Sequence, residues 1–201
     1  GVRFAVGVQE SDLQYGDGAV VVYGYDPVCF RDTSVCDWNL RQGALPSALE
    51  RVIDGSAVVV SGSFAHHEHA RPGDVIRLAS PTGSMVVAVA GVTDAEVVNS
   101  VIMNRDVYRS HWNDSLLSWV WVTLRPGHSL GMVETAIARN FGEKYRLQIR
   151  SSAELVEYFA SQARQAFSAL YLMEAIIFIL VLIAVGDTLA TGVIERTREF
   201  G

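Results

Sequence analysis

Apolar residues in the first 25 positions fall into short β-type runs, Val6 and Val8 and then 19–23, parted by the turn residues Gly16, Asp17 and Gly18. Residues 27–43 break this rhythm with a polar stretch holding both cysteines, and a loop is expected there. Leu45, Leu49, Val52 and Ile53 are spaced for one face of a helix. The unbroken apolar run 57–60 has the character of a buried strand. Arg71-Pro72-Gly73-Asp74 places Pro and Gly as a type II turn requires, and Pro81-Thr82-Gly83-Ser84 forms a second turn. Strands over 75–79 and 85–92, joined by that second turn, predict a hairpin. Two more strands are expected over 101–107 and 117–124, the latter with Trp119 and Trp121 on one face and Val120 and Val122 on the other. A helix over 130–141 and a closing strand over 145–149 complete an α+β domain of mixed order, residues 1–150.

Ser151 and Glu154 have the spacing of a capping box, which opens the last element. No Pro follows, so a single helix of roughly 48 residues and about 70 Å is expected. Its first part, 151–169, carries Leu155, Phe159, Ala163 and Phe167 among Glu157, Gln162, Arg164 and Gln165. That is one apolar stripe on a polar rod, suited to a stalk that lies beside a second helix.

Residues 170–194 are expected to cross a membrane, although the uninterrupted apolar run 175–186 is short. Eleven Leu, Ile, Val and Phe residues within 172–192 favour insertion by about 3–7 kcal/mol. Glu174 sits near the outer interface, and Asp187 lies off centre, where an acid costs less than the ~3 kcal/mol of the midplane. The balance is close to even or mildly favourable. Such a span relies on neighbouring helices, and its acid should face them or water. A chain this size has too little else to bury a helix of that length.

The net charge of −6 removes any electrostatic basis for nucleic-acid binding. Lys144, the single lysine, stands between Glu143 and Tyr145, so no Gly-Lys-Ser/Thr step exists and the chain holds no Walker-type ATP site. Cys29 and Cys36 enclose six residues. A small disulfide loop suits an extracytoplasmic location, and two unpaired thiols are the alternative. Beginning at Gly1 without a signal peptide and stopping at Gly201 after a charged turn, the chain reads as a piece of a longer protein.

The segment Gly186-Asp187-Thr188-Leu189, followed by Val193-Ile194-Glu195-Arg196-Thr197-Arg198-Glu199-Phe200-Gly201, resembles the second transmembrane helix and exit of the FtsX/MacB-type ABC transporter permease family. Upstream, Ala57-Val58-Val59-Val60-Ser61, the Arg71-Pro72-Gly73-Asp74 hairpin and Val89-Ala90-Gly91-Val92 are similar to that family's periplasmic core domain. The resemblance covers about residues 45–201 and leaves the first 44 without a counterpart. Asp187 stands where the family commonly has Asn, and the first, third and fourth helices of a family unit are not in this chain.

The resemblance implies a non-enzymatic permease subunit without a cofactor, which couples ATP hydrolysis by a separate ABC ATPase to movement outside the membrane. Glu195, Arg196, Thr197, Arg198 and Glu199 would begin the cytoplasmic coupling element, 195–201, where paired charges fix register at a polar interface. A second permease copy or homologous half and membrane lipid are the other implied partners. A membrane-anchored extracytoplasmic sensor is the rival reading. It differs in what should follow the span: a soluble signalling domain rather than further apolar spans.

Other clusters point nowhere sharp. His66-His67-Glu68-His69 is not an H-E-x-x-H pair and lacks a fourth ligand, so it is expected as exposed loop histidines and no metal site is assigned. Trp112, Trp119, Trp121 and Tyr108 suit either a binding surface or a sheet core, with core expected for at least one face.

Overall fold

A computed structural model of the chain describes residues 1–94 and 98–199, with the backbone alone described for 166, 169 and 187–199. Contacts divide it into two compact units, Gly1–Ser129 and Leu130–Gly201. In the first unit the elements run β1 (Val2–Tyr15), β2 (Gly18–Tyr25), α1 (Val28–Arg31), β3 (Leu40–Gln42), α2 (Leu45–Ile53), β4 (Ala57–Ser61), α3 (Gly62–His67), β5 (Val75–Ser80), β6 (Gly83–Thr93), β7 (Ser100–Asn104), α4 (Arg105–Trp112) and β8 (Trp119–Leu124).

The described strands form one mixed eight-stranded sheet in the order β3-β6-β4-β7-β2-β1-β8, with β5 paired to β6. The pairs β2/β7 and β4/β6 are parallel and the rest antiparallel. The expected hairpin is present: Ser80 pairs with Gly83 and Val75 with Ala88. Asp74 N–H donates to the Arg71 carbonyl at 3.0 Å, and Gly73 has φ 99°, the left-handed backbone that makes glycine the favoured residue at this turn.

Strand alternation sorts the core into two layers. Val58, Val60, Val101, Met103, Val20 and Val22 face one side, where Phe64 of α3 and Tyr108 and Trp112 of α4 cover them. Val59, Ile102, Tyr23 and Tyr25 face the other, beneath Leu49 and Val52 of α2 and Phe30 of α1. β4 is buried along its whole length because both of its faces are covered, which is why its sequence is continuously apolar. A one-residue irregularity in the β4/β6 register, Val58 opposite Val89 but Val59 opposite Gly91, lets Val89 and Val92 reach the same layer.

Three expectations are corrected. Residues 101–107 do not form one strand: the chain turns into α4 at Arg105, because Asn104 accepts the Asp106 N–H at 2.9 Å and caps the helix while its amide donates to the Ile53 carbonyl at 2.8 Å. Residues 27–43 are not an open polar loop but a cap with a buried underside, built from α1 and β3. The closing strand over 145–149 is absent from the described elements. There, the short α6 (Glu143–Tyr145) ends with Arg146 left-handed at φ 50° and Leu147 N–H donating to the Gly142 carbonyl at 3.3 Å, a Schellman-type stop.

The second unit contains α5 (Leu130–Ile137), a π-helical turn (Ala138–Gly142), α6 and the long α7 (Ser152–Glu199). The helix expected over 130–141 is thus an α-helix that widens at its C-terminal end.

Candidate functional site

The capping box that opens α7 is fully formed: Glu154 N–H donates to Ser151 Oγ at 3.1 Å and Ser151 N–H to Glu154 Oε2 at 2.8 Å. α7 then runs 48 residues. Its stretch Ser152–Gly186 is long and apolar enough to cross a membrane, and its apolar window is not covered by protein. Leu172, Ile176, Phe178, Leu180, Leu182 and Ile183 are exposed although they lie in different directions around the axis. A helix apolar all round and uncovered by protein suits lipid as its solvent, since its backbone polar groups are satisfied internally. The side chain of Asp187 and those of Glu195, Arg196, Thr197, Arg198 and Glu199 lie outside the described residues; their backbone belongs to α7. Unbroken helix from Leu170 to Glu195 spans about 38 Å at 1.5 Å per residue, enough for a hydrocarbon core of ~30 Å.

On the first unit the most developed side-chain assembly is the cap over the sheet. Asp26 starts it: its carboxylate accepts the Val28 N–H at 3.1 Å and pairs with Arg105 Nη2 at 3.1 Å. Arg105 reaches across β1 at Gly7, where an added Cβ would lie 2.6 Å from Nη1 and make the guanidinium shift. Cys29 and Cys36 are joined as a disulfide with Cα atoms 4.9 Å apart, and both are buried. Trp38 Nε1 donates to the Cys29 carbonyl at 2.7 Å, and its ring stacks on Phe30 at 5.2 Å. Thr93 Oγ1 donates to the Asn39 carbonyl at 2.8 Å and fastens the far end of the cap to β6.

Tyr25 is the hub of an aromatic row beneath the cap, with ring centroids 5.4 Å from Trp38, 6.3 Å from Trp119 and 5.9 Å from Trp121. The register sets Trp119 opposite Val8 and Trp121 opposite Val6, so both indoles fall on this face. The row grades from buried Trp38 to Trp121, which is 47% exposed at the end of the sheet order. Tyr108 and Trp112 serve the opposite layer, stacked at 4.8 Å. Burial pushes the Tyr108 phenol up, so it is a packing group rather than an acid poised near neutral pH.

The histidine tract lies at the end of α3, with His66, His67, Glu68 and His69 all exposed. Among the described residues, no group of three His, Cys, Asp or Glu side chains converges to hold a metal. A hollow of about 360 Å³ beside α4 is lined by Asp106, Arg109, Ser110, Asn113, Asp114 and Ser115, all polar and open to solvent, unlike the apolar enclosure of a small-molecule site. The Asp26–Arg105 pair escapes sequence reasoning because it joins segments far apart in the chain, and Trp38 because its burial depends on the sheet face beneath it. Only the aromatic character of Trp38 within a polar run hinted at a buried side.

No protein-family model and no curated protein sequence matches the chain. Among solved structures, the extracellular domain of the noncanonic ABC-type transporter YknZ from Gram-positive bacteria superposes with a TM-score of 0.52 at 14% identity, covering 74% of this chain and 79% of that one. The periplasmic region of MacB from Actinobacillus actinomycetemcomitans gives 0.51 at 13% identity, covering 71% of this chain and 67% of that one. At such identities the likeness speaks for architecture. The chain has the α+β fold of the extracellular domain of YknZ and the periplasmic region of MacB.

Proposed function

We propose that this chain is part of an FtsX/MacB-type ABC transporter permease: an extracytoplasmic domain over 1–150, a stalk over 151–169, a transmembrane helix over 170–194 and the start of a coupling element over 195–201. One observation carries the reading. A domain of the YknZ and MacB fold shares its chain with a single helix that runs from the Ser151–Glu154 capping box to the Glu195-Arg196-Thr197-Arg198-Glu199 exit. A rigid helix of that length transmits displacement, since pushing one end shifts the other without a hinge.

In this mechanism closure of a partner ATPase moves the coupling element, α7 carries the shift outward, and the outer domain acts on cargo or on a protein partner. The chain itself hydrolyses nothing, in keeping with the lack of a phosphate-binding Gly-Lys step. The sequence puts an acid, Asp187, inside the proposed span, where exposure to lipid would oppose insertion. A second copy or homologous half completes the permease.

The test is cross-linking from Arg198→Cys in the full-length protein, in membranes with its candidate ATPase. The buried Cys29–Cys36 disulfide is left in place, so the new thiol is the reactive one. A cross-link to the ATPase that changes with nucleotide is expected. Its absence at Arg198 and neighbouring positions, in an inserted and folded protein, would favour the sensor reading instead.

A further inference from the structure

Besides its disulfide, the cap over residues 26–43 is held by its apolar underside, the Asp26–Arg105 pair and the Thr93–Asn39 hydrogen bond, and it has little regular structure of its own. α1 is four residues long, follows Pro27 and has no side-chain cap; β3 is three residues long and, among the described residues, pairs with the end of β6. Helices this short do not persist on their own hydrogen bonds. What the cap covers is substantial: Tyr25, Val8, Ala57 and Val59 form a floor that is buried beneath Phe30, Trp38 and the two cysteines. Cys29 is 0% exposed and Cys36 8%, so no partner's sulfur can reach the bond once the cap has closed.

These facts fix an order of events. With both cysteines covered in the closed cap, exchange at them has to precede closure. We propose that the cap closes over the aromatic face only after Cys29 and Cys36 are oxidised by thiol–disulfide exchange with a disulfide-donating oxidoreductase. The domain is thereby built to complete its fold in an oxidising compartment.

The chemistry balances without a free electron acceptor. The Cys36 thiolate, from the loop that follows α1, attacks a sulfur of the donor disulfide, forming a mixed disulfide and releasing one donor thiolate. The Cys29 thiolate then attacks Cys36 Sγ and expels the second donor sulfur. Two protein thiols are oxidised, one donor disulfide is reduced to two thiols, and the protons lost by the cysteines end on the donor. The balance is the same whichever of the two cysteines attacks first. The choice of compartment rests on the extracytoplasmic placement proposed above. The dependence of closure on the bond does not.

The full chain in detergent, reduced and then freed of reductant, tests this with glutathione disulfide as the donor. Arg31 and Arg41 lie within the cap and report its opening through trypsin cleavage. From the entropy of closing so short a loop, cleavage there should rise on the order of fifty-fold on reduction and fall back when glutathione disulfide is added. Amides of β4 and β7 should stay protected from exchange throughout. The Cys29→Ala variant should retain glutathione on Cys36, and the double Cys→Ala variant should behave as the reduced protein without any reductant. Equal cleavage of reduced and oxidised protein would overturn the proposal. So would loss of amide protection across the whole sheet, since the bond would then hold the entire domain rather than the cap. Thiol labelling in cells separates the two readings: reduced cysteines there, with oxidation-dependent closure intact in vitro, would count against the extracytoplasmic placement alone.

Discussion

Replacing Ser61 with Ala removes one oxygen that serves two elements. Its hydroxyl, fully buried at the end of β4, accepts the Phe64 N–H at 3.1 Å, which caps α3, and the Ser100 N–H at 3.0 Å, which anchors the start of β7. Loss of the cap costs about 0.5–2 kcal/mol. The Ser100 amide, left in an apolar interior without an acceptor, adds about 1–3 kcal/mol. The two together predict a destabilisation of roughly 1.5–5 kcal/mol, centred near ~3 and a large share of the ~5–15 kcal/mol a domain possesses. Urea unfolding of the chain in detergent, followed by tryptophan fluorescence, reads it out, because all four tryptophans lie in the first unit. At an m-value on the order of 2 kcal/mol/M the midpoint should fall by roughly 1–2 M with the slope unchanged. Hydrogen exchange gives the site-specific check: the Phe64 and Ser100 amides should lose protection beyond the global change. A shift below ~0.5 kcal/mol, with both amides still protected, would refute the idea that this hydroxyl is their acceptor.

Other outcomes follow from the same geometry. An alanine at Gly24 would set its Cβ 2.7 Å from Tyr108 Cβ, so α4 must move; a loss of about 1–3 kcal/mol in the same urea assay is expected. Tyr25→Ala should cost about 3–5 kcal/mol because it empties the hub of the aromatic row, whereas the half-exposed Trp121→Ala should cost less than ~1 kcal/mol. The Asp32 carboxylate is held below its ordinary range by the Ser34 hydroxyl and then by the Ser34 N–H, which donates at 2.9 Å. Its contribution to the cap turn is therefore present above the ordinary carboxylate pKa and lost as pH falls through the lowered one. The Ser34 amide resonance, followed downward from neutral pH, should titrate below the ordinary range, and Ser34→Ala should bring Asp32 back toward it. In a translocon insertion assay of residues 170–194, Asp187→Leu should improve insertion by up to about 3 kcal/mol; no gain would mean that the acid already escapes the membrane interior.

Local pattern determined much of this protein. The hairpin of β5 and β6 was legible from two turns flanked by alternating residues, and α2 from its single apolar stripe. The start of α7 was legible from Ser151 and Glu154, whose mutual hydrogen bonds involve only residues three apart. The length and apolar content of α7 were likewise written in adjacent residues. The fold of the outer domain was reached by resemblance over residues 45–201, and the solved extracytoplasmic domains share it.

Tertiary structure decided the rest wherever a side chain's partner lies far away in sequence. The 27–43 segment reads as polar because its outer residues are polar; its inner ones, Phe30, Trp38 and the cysteines, became a buried underside only when the Tyr25 face came beneath them. Asn104 ended β7 early because its amide found the Ile53 carbonyl, 51 residues away. Residues 145–149 alternate like a strand, yet a strand needs a neighbour's hydrogen bonds, and the left-handed Arg146 turned the chain aside. Arg105 meets Asp26 only in the folded chain, which brings the start of α4 beside the end of β2. Helices and tight turns satisfy their backbone within a few residues and so are visible in local sequence. Sheet edges, caps and ion pairs draw on groups that only the folded chain brings together.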